Sequence, residues 1–157
     1  MYREALDRLH DADILARSND AQSDSGQIIR ILAFEVLLKC ALLLAGQSPK
    51  ANHNYAKHWL GLPGAARKEI LTLAADRMAG STDFSDVPTL LNWYQYIFEK
   101  ARYGYELFDG FSAEEKTEIE EIWVTDGSLN QEAFVQYYPL ELQSLIFGLS
   151  EHIAGKL

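Results

Sequence analysis

The chain has 157 residues, of which 48% are hydrophobic and 24% charged, and its net charge is −9. This composition excludes global disorder, and the length suffices for one domain, residues 1–157, with a buried core. An acidic chain also disfavours nonspecific nucleic-acid binding, because Lys and Arg supply most of that affinity. Glu35 and Lys39 interrupt the longest apolar stretches, so we expect no membrane span. The start of the chain does not resemble a signal peptide, which predicts a cytoplasmic protein.

The charge is distributed unevenly along the chain. Residues 1–108 have a net charge of −1, whereas residues 109–157 have a net charge of −8. The nearly balanced first part leaves room for a local basic site. We expect residues 109–157 to form an acidic helical extension that packs on the first part.

Helical periodicity begins at once. Ala5, Leu9 and Ala12 recur at helical spacing and predict a first helix from Tyr2 to about Arg17. A second helix, from Ala21 or Gly26 to Ala45, is apolar around most of its circumference. Such a helix is buried on several sides, so we expect it at the centre of a bundle.

Shorter elements follow. The patterns predict helices over 53–62, 65–79 and 88–108, an acidic helix after a capping box at 112–115, and a last helix with Pro139 in its first turn. In the helix after Pro88, Leu90, Trp93 and Ile97 share the predicted core face. No segment alternates as a strand would. The predicted fold is therefore all-α, an antiparallel bundle of four main helices with additional short helices.

Common catalytic and cofactor motifs are missing from the sequence. We find no glycine-rich phosphate loop and no nucleophile elbow, so no cofactor is expected. The single cysteine, Cys40, lies in an apolar stretch, and we expect it to be a small buried hydrophobic residue rather than a catalytic thiol. His53 and His58 are five residues apart, which is not the spacing of a helical metal pair, so no metal site is expected.

Glu35 and Lys39 stand out on the apolar second helix. Their spacing of four residues, with the acid first, favours an ion pair along the helix. An unpaired charge would be costly on so apolar a helix. We therefore expect them to pair with each other, with Arg102, or across a dimer interface. A solvated pair on one open stripe of the helix is the alternative.

Three segments in this order resemble the HEPN family of helical-bundle proteins. They are Glu35-Val36-Leu37-Leu38-Lys39-Cys40-Ala41-Leu42-Leu43, His53-Asn54-Tyr55-Ala56-Lys57-His58-Trp59-Leu60 and Arg102-Tyr103. The resemblance covers roughly residues 5–108. It implies a homodimer whose ligand-binding residues are Glu35, Lys39, His53, Arg102 and Tyr103.

The resemblance also bears on catalysis. Many HEPN proteins are metal-independent ribonucleases of toxin–antitoxin and defence systems, in which four to six residues separate an Arg from a His on a late helix. Beyond Arg102, the required positions hold Leu107, Phe108 and Asp109. The family pattern therefore predicts a non-catalytic protein that binds a nucleotide, RNA or a protein partner. A nucleotidyltransferase is one such partner that the resemblance implies.

Two other functions stay open. The first is a divergent ribonuclease that uses Arg102, or the pair Arg3 and His10 on the first helix. These two are seven residues apart and lie on nearly one face. The second is a plain helical protein-interaction module. The aromatic run 93–98 with Tyr103 suits base stacking, but a core stripe with a dimer contact is the favoured interpretation.

Overall fold

The computed structural model describes residues 1–18, 24–100, 112–115, 117 and 135–157. Its main helices are α1 (Tyr2–Ser18), α2 (Asp24–Leu44), α3 (Tyr55–Gly61), α4 (Gly64–Arg77), α5 (Val87–Lys100) and α6 (Pro139–Ala154). These ranges contain no β-strand, so the predicted all-α fold is confirmed. Within the same ranges, no helix has the length and apolar character needed to cross a bilayer.

Helix α2 is the centre of the fold. It contacts α1, α3, α5 and α6. Its fully buried residues lie on more than one side of the helix; they are Ile31, Ala33, Phe34, Leu37, Leu38 and Ala41. The apolar run that predicted a central helix therefore corresponds to burial against several neighbours.

Helix α1 runs antiparallel to two of its neighbours. Arg30, in the second turn of α2, donates a 2.8 Å hydrogen bond to Asp13 near the end of α1. The hydroxyl of Tyr2, at the start of α1, donates to the carbonyl of Ser150 near the end of α6 at 3.4 Å. These contacts place α1 antiparallel to both α2 and α6.

Local sequence determines several helix ends. Gly46 adopts φ 74° just after α2, a conformation that favours glycine. The predicted capping box is confirmed, because Ser112 N–H donates to Glu115 at 2.6 Å and Glu115 N–H donates to Ser112 Oγ at 3.2 Å. Pro139 is in the first turn of α6, as predicted.

The core face of α5 differs from the prediction. Leu90 and Ile97 are buried as expected, but Tyr94 rather than Trp93 occupies the core. Tyr94 is fully buried, and its hydroxyl donates to the carbonyl of Tyr138 at 2.8 Å. Because that hydroxyl has a buried acceptor, Tyr94 satisfies its polar atom inside the core. Trp93 is only partly buried.

Cys40 lies in the core, with 8% of its surface exposed. Burial raises the pKa of its thiol. A thiol in this state is a poor nucleophile at neutral pH, so the structure agrees with the prediction of a small buried hydrophobe.

Helices α4 and α6 pack unusually closely at Gly148. A Cβ at this position would lie 2.4 Å from the carbonyl oxygen of Ile70 and 3.2 Å from the amide nitrogen of Ala74. Both obstructing atoms belong to the α4 backbone and cannot rotate away. The absence of a side chain at Gly148 therefore sets the distance between these helices.

We predict that Gly148→Ala lowers the free energy of unfolding by about 1–3 kcal/mol, because the added methyl group forces α4 and α6 apart. Urea denaturation followed by circular dichroism measures this change. Gly64→Ala, at the start of α4, is the matched control, since a Cβ there meets no atom within 4 Å. Equal urea midpoints for the two variants would contradict the prediction.

Candidate functional site

A buried carboxylate, that of Glu35 on α2, is the centre of the candidate site. Only 4% of Glu35 is exposed, and both of its oxygens accept hydrogen bonds. Lys39 Nζ lies 2.6 Å from Oε1, and His53 Nδ1 lies 2.8 Å from Oε2. The hydroxyl of Tyr55 donates to Oε2 at 3.0 Å. These four residues are referred to below as the Glu35 cluster.

The connection between α2 and α3 brings His53 and Tyr55 to Glu35. Asn54 caps α3, since its side-chain oxygen accepts a 2.9 Å hydrogen bond from the amide of Lys57. This cap starts the helix at Tyr55, which is fully buried. The ring of His53 packs on Phe98 of α5, with 4.8 Å between the ring centroids. The cluster is therefore held by α2, α3 and α5 and by the loop that ends at the cap of α3.

Hydrogen bonds determine the charge state of Glu35. Burial by itself raises the pKa of this carboxyl, but hydrogen bonds from Lys39, His53 and Tyr55, together with the charge of Lys39, lower it below the ordinary 4.5. Glu35 is consequently ionised at neutral pH. With both oxygens already bonded, it is poorly suited to accept a proton as a general base.

His58 of α3 borders the cluster. It is 5% exposed, and its ring nitrogens make no regular hydrogen bond to a described residue, although the backbone of Lys50 lies close enough to interact with the ring. Burial and the nearby charge of Lys39 lower the pKa of His58, against opposing effects of Glu35 and the backbone of Lys50. The imidazole is therefore neutral at pH 7, and its two ring nitrogens lie beneath the surface.

The structure brings together three of the predicted site residues, Glu35, Lys39 and His53. The predicted ion pair between Glu35 and Lys39 is confirmed, and the carboxylate is buried rather than solvated. Arg102 and Tyr103 lie outside the described residues. Arg3 and His10 are exposed on α1.

Sequence reasoning missed the roles of Tyr55 and His58. Both belong to the segment 53–60, but nothing in the segment itself shows that they reach Glu35. The charge distribution between Glu35 and Glu69 is one pattern from which the site could have been predicted. Residues 36–68 contain five Lys or Arg and no Asp or Glu, which is unusual in a chain of net charge −9. This acid-free segment includes Lys39 and all of α3, and so surrounds the cluster.

Comparison with known proteins finds no matching family model, no matching curated protein and no matching solved structure. The resemblance to the HEPN family therefore depends on the three quoted segments alone. Among the described residues, no group of three or more His, Cys, Asp or Glu side chains is placed to hold a metal ion.

We predict that Glu35→Gln lowers the free energy of unfolding at pH 7 by about 3 kcal/mol, because it leaves the partly buried ammonium of Lys39 without its counter-charge. The loss should depend on pH. A folded-state pKa below 4.5 means that the Glu35 carboxylate stabilises the fold above that pH and ceases to do so as the pH falls through the folded-state value.

Urea denaturation of the wild type and Glu35→Gln between pH 3 and pH 7 tests this pH dependence. The difference between the two proteins should shrink at the acidic end of the range. Glu151→Gln, at an exposed position of α6, is the control and should resemble the wild type throughout. A difference that is constant with pH would exclude the assigned role of the ionised carboxylate.

Proposed function

We propose that the protein is a non-catalytic, homodimeric HEPN-like protein that binds the phosphate groups of a nucleotide or RNA beside the Glu35 cluster. The observation that most supports this proposal is that the acid-free segment 36–68 contributes residues to that cluster. We also expect a cytoplasmic location. The argument for binding rests on charge, on the partly exposed imidazole of His53, and on the absence of a His at the family spacing from Arg102.

Positive charge is concentrated in the segment that contributes to the cluster. Lys50 and Lys57 are exposed, whereas 17% of the Lys39 side chain and 38% of the His53 side chain reach the surface. The carboxylate of Glu35 is the only acidic group in residues 25–68, and it is already neutralised by Lys39. The surrounding surface therefore attracts phosphate, although the whole chain is acidic.

A partly exposed imidazole supports a ligand at this place. The ring of His53 rests on Phe98, and 38% of its side chain reaches the surface, so it can exchange a hydrogen bond with a ligand. The ring nitrogens of His58 are buried and do not belong to this surface. A nucleotide carries hydrogen-bonding groups and negative charge, and both complement this surface.

Binding is favoured over cleavage for two reasons. In the described part of the site, Glu35 is ionised and fully hydrogen-bonded, and burial of His58 disfavours the imidazolium form that an acid–base cycle requires. In the sequence, no His follows Arg102 at the spacing that the ribonucleases of the family use. Glu35, His58 and the positions beyond Arg102 therefore do not supply the proton carrier.

The homodimer rests on the family resemblance and on one surface feature. Leu6 and Ile14 of α1 are 40% and 51% exposed, and their spacing of eight residues places them on one face of the helix. Apolar side chains of this kind are typical of the centre of a homodimer interface.

We predict that the protein binds short single-stranded RNA and that Lys57→Glu weakens the binding about tenfold, because an exposed cation of α3, the helix that carries Tyr55, becomes an anion. Fluorescence anisotropy of labelled RNA at fixed salt measures the affinity. Lys156→Glu makes the same charge change at an exposed position near the end of the chain and serves as the control. Equal weakening by both variants would show an effect of net charge alone and overturn the site.

The same preparation tests the absence of catalysis. Incubated with RNA in EDTA at high protein concentration, the wild type should leave the RNA intact. Cleavage that disappears in Arg102→Ala or His10→Ala would overturn the non-catalytic proposal and identify the residue that the reaction requires. Cleavage that persists in both variants would indicate that a contaminating nuclease is its source.

We predict that light scattering after gel filtration gives twice the 17.7 kDa mass of the chain. Ile14→Glu should shift the species towards the monomer, since it places a charge in the exposed apolar face of α1. Asp11→Lys, at an exposed position of the same helix, is the control for a charge change alone. A monomeric wild type would refute the homodimer.

A further inference from the structure

A polar concavity is lined by residues other than those of the Glu35 cluster. It is a groove with a volume of about 340 Å³, lined by Leu9 and Asp13 of α1, Arg30 of α2, Arg77 of α4, and Gln143 and Ile146 of α6. Four helices contribute to this groove, called here the arginine groove. Its volume is at the lower end of the range for small-molecule sites.

Arg30 is held in place on one side of the groove. Its side chain is 14% exposed, and its guanidinium lies 2.8 Å from the carboxylate of Asp13. This is the one hydrogen bond that Arg30 makes to a described residue, and a guanidinium has five N–H donors. The ion pair fixes the orientation of Arg30 while leaving donors that a ligand in the groove can use.

Arg77 is positioned differently on the other side. Its guanidinium carbon lies 5.1 Å from the centre of the Phe147 ring, in a cation–π contact. One nitrogen donates a long hydrogen bond of 3.4 Å to the carbonyl of Gln143. No carboxylate of a described residue lies within ion-pair distance of Arg77. Stacking on Phe147 therefore orders this cation without neutralising it.

The balance of charge in the groove selects the ligand. Among the described lining residues, Asp13 compensates Arg30, and Arg77 leaves one positive charge in excess. A guanidinium fork matches the two oxygens of a carboxylate, and one carboxylate supplies the single balancing charge. A phosphate monoester carries nearly two negative charges and would leave an excess of negative charge.

Apolar side chains complete the recognition. Leu9 and Ile146 line the groove beside the two arginines, so the part of a ligand next to its carboxylate meets an apolar surface. We propose that the arginine groove binds a small organic carboxylate, with the carboxylate on Arg77 and Arg30 and an apolar group against Leu9 and Ile146. Because both cations are already ordered, binding costs little side-chain entropy.

The test is titration of the full-length protein with benzoate, followed by the Nε–Hε resonances of the arginines in NMR spectra. Saturable shifts of the Arg30 and Arg77 signals are expected at about 1 mM. Arg77→Gln should weaken binding about tenfold, the loss of one charge-assisted hydrogen bond. Arg17→Gln, at an exposed position outside the groove, should bind as the wild type does. The urea midpoint of each variant confirms that it is folded.

Two further compounds and one further variant make the outcome decisive. Benzyl alcohol should bind at least tenfold more weakly than benzoate, and phenyl phosphate should not bind more tightly than benzoate. Tighter binding of phenyl phosphate would replace the carboxylate assignment. Unchanged benzoate affinity in Arg77→Gln, or no saturable shift in the wild type, would overturn the site. Lys57→Glu should leave benzoate binding intact, so failure of the RNA experiment and failure of this one are distinguishable.

Discussion

A carboxylate on the most buried helix of a protein has to be compensated, and the way Glu35 is compensated organises much of this structure. Lys39 supplies the charge from the same helix, while His53 and Tyr55 supply hydrogen bonds from beyond its end. The hydrogen bonds from His53 and Tyr55 hold the loop after α2 and the start of α3 against the central helix. The same contacts collect basic and imidazole groups at one place, and the proposed phosphate site is based on that arrangement.

A second constraint acts at the other side of the molecule, where α4 approaches α6. Gly148 permits backbone contact with Ile70 and Ala74, and this close packing places Arg77 of α4 over Phe147 of α6. Arg30 reaches the same groove from α2, held by Asp13. The two candidate sites thus use the same central helix but different neighbours. One is formed by a loop that returns to α2, and the other by helices that pack side by side.

Prediction from the sequence succeeded where the interactions are local. The Glu35–Lys39 pair follows from a spacing of four residues on a helix, and the Ser112–Glu115 cap follows from a spacing of three. Prediction failed on α5, where either of two adjacent aromatic residues could have faced the core. Trp93 and Tyr94 are adjacent and aromatic, and only the carbonyl of Tyr138, far along the chain, determines that Tyr94 is the buried one. Arg102 and Tyr103, although predicted as site residues, lie outside the described part of the chain.

The sequence by itself determined the all-α class, the central position of α2, and the charged pair that this helix must accommodate, because each follows from periodicity or composition along one helix. Tertiary structure alone decided that Tyr55 shares Glu35 with His53, that His58 is buried beside them, and that Arg30 and Arg77 face one groove. The physical reason is distance along the chain. Side chains 18 to 47 residues apart meet only after loops turn and helices dock, and no local pattern encodes which faces will then oppose each other.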